Sequence, residues 1–278
     1  MIAPFAKDDA LLADITAHRG TQGLRLWWLG QSGFLLHHAG RFLLIDPYLS
    51  ESLSLKYEAT DKPHTRLTEL VIDPARLDMI DIVTSSHNHT DHLDAATLLP
   101  LRAANPGLQF VIPEANRAFV AERLGCDPAW PHGLNDGAAL DFGSWHIRAV
   151  ASAHEHLDPT PAGLYPYLGY VIRTGRYTIY HPGDTVLYEG LAEKLKPLQI
   201  DVALLPINGT LPQRRVTGNL WGREAAWLAK EIGAGLAIPC HFDMFEFNTE
   251  SPAEFIAHCE ALTQPHGILR NGEGITLP

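Results

Sequence analysis

Short apolar runs dominate the first third of this chain. Leu24 to Leu29, Phe34 to His38 and Phe42 to Ile45 are separated by Gly30-Gln31-Ser32-Gly33 and by Ala39-Gly40-Arg41, a pattern that predicts three strands in a β-meander. Ahead of them, Leu11, Leu12 and Ile15 repeat at helical spacing behind an aspartate, predicting a surface helix from Asp8 to His18 with Asp8 as its cap. Met79 to Val83 reads as a buried strand. Asp94 to Leu99 opens a helix that Pro100 kinks or ends, and Asn105-Pro106-Gly107 closes the segment. Gln109 to Ile112 is a further strand, Asn116 to Leu124 a short helix, and Trp130 to Gly137 a turn-rich connection.

A second set of strands begins near Leu140. Trp145 to Ala151 alternates apolar with polar residues, Leu168 to Arg173 and Tyr177 to Tyr180 make a hairpin across Thr174-Gly175-Arg176, and Val202 to Leu205 and Leu236 to Pro239 are buried strands. Arg223 to Ile232 and Pro252 to Leu262 are helical, with short strands expected near Gly267 to Leu269 and Gly274 to Leu277. Glu51 to Arg76 has no clear periodicity, and a segment of that length between strands is expected to be a lid or an oligomer contact.

Several of these strands end in residues that bind metals. Asp46-Pro47 terminates the meander, because proline cannot donate to the sheet ladder. His87-Asn88-His89-Thr90-Asp91-His92 follows the Met79 to Val83 run, and His154, with His156 two residues later, follows Trp145 to Ala151. Asp184 follows the hairpin, and His241 follows Leu236 to Pro239. Brought to one edge of the sheets, these ends surround a site. His87 and His89 are two apart on an extended turn and can face one ion, while Asp91 and His92 continue to a second. His154 completes the first centre, His241 the second, and Asp184 can bridge them. Of the histidine pair, His154 comes first after the strand and is the expected ligand, with His156 left to face substrate. Nitrogen and oxygen donors without thiolate suit a catalytic centre holding two divalent ions, Zn(II) or Mn(II) foremost, and not a cysteine-rich structural zinc site.

Composition narrows the function without changing that picture. The 278 residues are 46% hydrophobic and 19% charged, ordinary for a globular chain, here expected to be one domain over residues 1–278. The formal net charge is −11 with no basic cluster, which disfavours nucleic acid as a partner. No apolar stretch approaches a membrane-spanning length and the first residues lack a secretory pattern, so a cytoplasmic protein with a small-molecule substrate is expected. Cys126, Cys240 and Cys259 are too scattered for a disulfide framework.

The His-x-His-x-Asp-His run at 87–92, followed by His154, Asp184 and His241 and preceded by Asp46, resembles the metallo-β-lactamase superfamily over nearly the whole chain. Within it, Trp28-Leu29-Gly30-Gln31-Ser32-Gly33, Ile45-Asp46-Pro47, His181-Pro182-Gly183-Asp184-Thr185, Ile207-Asn208-Gly209 and Pro239-Cys240-His241-Phe242-Asp243 are similar to the L-ascorbate-6-phosphate lactonase-like branch. The resemblance implies an α/β (α+β) fold, a four-layer αββα sandwich. It implies that His87, His89 and His154 hold one metal, Asp91, His92 and His241 the other, that Asp184 bridges, and that Asp46 orients the histidine loop. An aspartate at 184, where β-lactamases of this fold have cysteine, disfavours antibiotic hydrolysis. Histidine at 89, where flavodiiron proteins have glutamate, argues against oxygen reduction. The resemblance also suggests a homo-oligomer.

The function expected from these residues is metal-dependent opening of a lactone or other ester in a small, phosphorylated or acidic molecule, with a metal-bound hydroxide as nucleophile. Asp91 is the expected proton carrier and His181 a supporting residue beside Asp184. Asn208, Arg214, Arg215 and His156 are the candidate substrate contacts, the arginines for a phosphate or carboxylate. The alternatives are a dinuclear-metal phosphodiesterase and a metal-dependent sensor that has lost turnover.

Overall fold

The computed structural model describes residues 1–277. Six strands in chain order, β1 (Leu24–Gly30), β2 (Gly33–His38), β3 (Arg41–Ile45), β4 (Ile82–Thr84), β5 (Gln109–Pro113) and β6 (His132–Leu134), build one sheet. The next six, β7 (Ala139–Phe142), β8 (Trp145–Ala151), β9 (Leu168–Thr174), β10 (Tyr177–His181), β11 (Val202–Pro206) and β12 (Leu236–Cys240), build the other. A last strand, β13 (Gly274–Leu277), returns to the first sheet and pairs antiparallel with β1. Both sheets are mixed. The strands from β13 to β3 pair antiparallel and those from β3 to β6 parallel. In the second sheet β7 to β10 are antiparallel and β10 to β12 parallel.

Alternation along β1 explains how the sheets stack. Leu24, Leu26 and Trp28 face the second sheet, where they join Trp145, Ile147 and Ile179 in a common core. Trp27 and Leu29 point the other way, toward Leu11 and Ile15 of α1 (Asp9–His18). A period of two puts successive side chains on opposite faces, so a strand such as β1 that carries apolar residues on both must be covered on both. The second layer of helices supplies the cover. After α2 (Ser52–Tyr57), α3 (Ala95–Ala104) and α4 (Arg117–Leu124) place Leu98, Leu101, Val120 and Leu124 in the same cluster as α1. After the short α5 (Leu191–Leu195), α6 (Gly222–Glu231) and α7 (Ala253–Leu262) bury Ala225, Ala226, Leu228, Ala229, Phe255 and Cys259 with β11 and β12. The result is helices, sheet, sheet, helices. No helix among the described residues is long and apolar enough to cross a membrane.

Some expectations from the pattern fail for local reasons. Helix α3 runs through Pro100, because Leu98 and Leu101 on either side are buried in the core and outweigh one lost hydrogen bond. Met79 to Asp81 lies outside β4: the Ile80 amide is taken by Asn105 Oδ1 and the Phe42 amide by Asp81 Oδ2, and only Asp81 keeps backbone bonds to the flanking chain, to Phe42 O and from the Gln109 amide. Asp8 makes no side-chain cap, its carboxylate lying 3.6 Å from Arg76 instead. Near Gly267 a single bridge from His266 to Ala237 replaces the expected strand. His132–Leu134 inside the expected connection is the edge strand β6, and α5 was not anticipated.

Candidate metal centre and its cavity

Parallel pairing puts the carboxyl ends of β3, β4 and β5 together in one sheet, and those of β10, β11 and β12 together in the other. β8 runs the same way as β10, because each is antiparallel to β9. The segments leaving β3, β4, β8, β10 and β12 therefore meet at one edge. Asp46 and His241 leave their strands with φ of 40° and 61°, values uncommon for residues with a side chain. Such backbones persist where surrounding bonds over-determine them, and both are tied: Asp46 N donates to Thr84 O, and His241 N donates to Gln31 O.

Three donor groups converge there, His87 with His89 and His154, His87 with His92 and Asp184, and Asp91 with His92 and His241. Asp184 stands among them. Its Oδ1 is 3.2 Å from His92 Nε2, and its Oδ2 is 3.5 Å from both His154 Nε2 and His241 Nε2. Asp91 Oδ2 is 3.6 Å from His241 Nε2 and 3.7 Å from His92 Nε2, while His154 Nε2 is 3.2 Å from His89 Nδ1. His154, and not His156, joins the cluster; His156 is exposed and does not line the cavity.

The imidazoles are held from behind. Buried Asp46 accepts from His92 Nδ1 at 2.7 Å, from the Ser86 amide at 3.0 Å and from the Ser86 hydroxyl. His87 Nδ1 donates in turn to Ser86 Oγ at 3.0 Å, and His154 Nδ1 donates to Gly218 O at 3.0 Å. Each of these bonds uses Nδ1 and leaves the Nε2 lone pair facing the cluster. His87 Nε2, His92 Nε2 and Asp184 Oδ1 are buried with no hydrogen-bond partner. Leaving a buried polar atom unsatisfied costs about 1–3 kcal/mol, so three such acceptors around one point fit a cation. The donors are imidazole and carboxylate only; Cys240 adjoins His241 in sequence but is buried in the core.

Charge within the cluster supports the same fit. Burial opposes protonation of His92 and His241, but the carboxylates of Asp184 and Asp91 prevail, raising His92 well above its usual range and His241 to about 9. Burial pushes His87 well below its usual range and His154 down to about 4. Asp91 and Asp184 are held low against burial, His92 being the leading cause for each. Two carboxylates thus attract two protons to neighbouring rings, and divalent ions would displace those protons on binding.

Other expected residues lie elsewhere. His181 is fully buried; its Nε2 donates to Ser32 O at 2.9 Å and its Nδ1 accepts from the Gly183 amide at 3.1 Å, so it braces the turn carrying Asp184 and does not reach the cavity. Asn208 is also buried, linked through its amide to Asn248 Oδ1 and Asn219 Nδ2 at 3.0 Å each. Arg214 is spent on Asn208 O, Thr249 O and Glu250. Neither Asn208 nor Arg214 lines the cavity, a correction to their expected role at the substrate; Arg215 does line it. Burial of the long Arg214 side chain against carbonyls decides its place, and charge type alone cannot reveal that.

The cavity above the cluster measures about 510 Å³. Glu51 to Arg76 supplies one wall through Leu53, Lys56, Tyr57 and His64, and Phe245 and Phe247 continue it. His64 stacks on Tyr57 at 4.0 Å and lies 4.4 Å from Phe247. Two residues at the floor escaped the sequence reading. Gln31 Nε2 donates to Asp91 Oδ2 at 2.8 Å and sits 3.1 Å from His241 Nε2, and Thr217 Oγ1 contacts His154 Nε2. Gln31 lies between two glycines in a turn, and its φ of 50° is visible only in three dimensions.

Comparison with known proteins agrees with this geometry. The model of a beta-lactamase superfamily domain matches residues 25–241. A UPF0173 metal-dependent hydrolase of Opitutus terrae is 31% identical over 255 residues, 91% of this chain and 99% of that one. Among solved structures, a possible metal-dependent hydrolase from Veillonella parvula superposes with a TM-score of 0.72 at 16% identity, covering 92% of this chain and 99% of that one. An isothiocyanate hydrolase from Delia radicum gut bacteria gives 0.71 at 19% identity, covering 91% and 99%. The chain belongs to the metallo-β-lactamase superfamily and, within it, to the UPF0173 metal-dependent hydrolases.

Proposed function

We propose that this metal-dependent hydrolase opens a lactone or other ester of a small, acidic molecule, using two divalent ions, Zn(II) or Mn(II), held by His87, His89, His154, Asp91, His92 and His241 with Asp184 between them. The observation that carries the reading is the donor cluster at the floor of a 510 Å³ cavity, a space suited to a metabolite. Similarity of the motifs to the L-ascorbate-6-phosphate lactonase-like branch supports the ester version.

When bound, divalent ions at such a site supply an acidified water and Lewis-acid stabilisation of oxyanions. The protein's own groups do the rest. Asp46 and Ser86 hold the imidazoles in one tautomer and orientation, a pre-organisation that costs nothing during reaction. Asp91, with Oδ2 fixed by Gln31 and its side chain reaching the cavity, suits taking the proton of the attacking water and passing it to the departing alkoxide. Tyr57, His64, Phe245 and Phe247 pack the apolar part of the substrate and keep bulk water from the acyl carbon.

Metal content of the protein reconstituted with Zn(II) or Mn(II), followed by turnover of lactones, sugar-phosphate lactones, 4-nitrophenyl esters, bis(4-nitrophenyl) phosphate and an isothiocyanate, tests the proposal. Two ions per chain and faster lactone or ester turnover are expected. Faster cleavage of the phosphodiester or the isothiocyanate under the same metal loading would replace the ester reading with that activity.

A further inference from the structure

Charge on the cavity wall has one sign. Above the floor carboxylates Asp91 and Asp184, the charged lining residues are Lys56, Arg123 and Arg215, in a chain whose formal net charge is −11. Arg215 is neutralised by Asp61 at 2.9 Å, and Lys56 is exposed, its ammonium 5.1 Å from the Tyr57 ring.

Arg123 is different. It is half-buried on α4, and burial lowers its pKa. Its guanidinium lies 4.4 Å from the Phe119 ring, and Nη1 donates to Asn88 O at 2.7 Å and Leu93 O at 3.2 Å. The Asp94 carboxylate favours the charged form of Arg123 from a distance, but among the described residues no carboxylate forms an ion pair with it, and both of its hydrogen bonds to protein leave from Nη1. A partly desolvated cation with no direct ion pair is poorly compensated, and the remaining fork of N–H groups matches the two oxygens of a carboxylate or phosphate. The two carbonyls that hold it bracket the loop of His89, Asp91 and His92, so its position is registered to the metal ligands.

We infer that Arg123 is the anchor for an anionic group on the substrate, which makes the substrate an ester or lactone bearing a carboxylate or phosphate away from the scissile bond. The inference rests on the hydrolytic reading above and moves the anion contact from Arg214 to α4.

Mono-4-nitrophenyl glutarate and neutral 4-nitrophenyl valerate, hydrolysed by metal-loaded protein, compare an anionic with an uncharged acyl chain of the same length. The wild type is expected to favour the glutarate ester in kcat/KM by about tenfold or more, largely through KM, the scale of one charge-assisted hydrogen bond. Arg123→Gln is expected to bring the ratio near unity and Arg123→Lys to restore part of it. Ester turnover without that preference, or a preference that survives Arg123→Gln, overturns the anchor and leaves the esterase reading standing. If neither ester turns over, that reading fails, and calorimetric titration of glutarate and of inorganic phosphate decides the anchor. Binding about tenfold weaker in Arg123→Gln than in wild type at equal metal content supports it. Equal affinity overturns it. Whichever anion loses more identifies the group that Arg123 accepts.

Discussion

Asp46 shows how much a residue outside the donor cluster controls. One buried carboxylate receives His92 Nδ1, the Ser86 amide and the Ser86 hydroxyl, and through Ser86 it steadies His87. Replacement by alanine leaves two imidazoles free to turn and one buried amide unpaired. Asp46→Ala is expected to weaken metal binding by about 10–100-fold, measured by competition with a chromogenic chelator. Undiminished affinity would show that the ligand rings are held by packing alone. Pro47 showed in the sequence that the strand ends at Asp46, but only the family resemblance gave that carboxylate its role of orienting the histidine loop. Gln31 carries no such signal, since a glutamine between glycines reads as a turn until the fold brings Asp91 and His241 to its amide.

Strand ends carry the ligands, and at the level of elements their close approach depends on glycine. Gly183 has a φ of 64°, and a Cβ placed on it would stand 2.4 Å from Ser86 Cβ. The turn after β10 therefore presses against the turn after β4, and this contact brings Asp184 to His92. Gly183→Ala is expected to destabilise the protein by about 1–3 kcal/mol in denaturant titrations. Metal content should fall with it. A variant as stable and as metal-loaded as wild type would mean that the two turns can separate without loss. The segment between β3 and β4 illustrates the opposite case, an element unreadable in sequence. Its one α-helix, α2, is six residues long and a 3-10 turn at Pro74–Arg76 is shorter still, both too short for periodicity to declare itself, and the rest is held by contacts such as the bridge from Arg66 to Phe245.

For the molecule as a whole, the donor cluster joins the two sheets. His87, His89, Asp91 and His92 come from the first sheet, and His154, Asp184 and His241 from the second, so an ion between them ties both halves of the sandwich. A ligand that binds only the folded state at a hundred times its dissociation constant stabilises by about 2.7 kcal/mol per site. Chelation should accordingly lower Tm by several degrees, with recovery on adding Zn(II) or Mn(II), as read by scanning calorimetry alongside elemental analysis. A Tm indifferent to proven metal loss would separate the cluster from stability.

The two strand sets, most helices and the histidine-rich exits were determined by the sequence itself. Apolar periodicity and turn residues act over a few positions, and a ligand pattern such as His87 to His92 is local. Tertiary structure alone decided which charged residues reach the cavity. Arg214 and Arg123 are the same residue type, yet carbonyls and Glu250 close around the guanidinium of one and leave part of the other's open. Such outcomes depend on distances between segments far apart in the chain, and no local pattern encodes them.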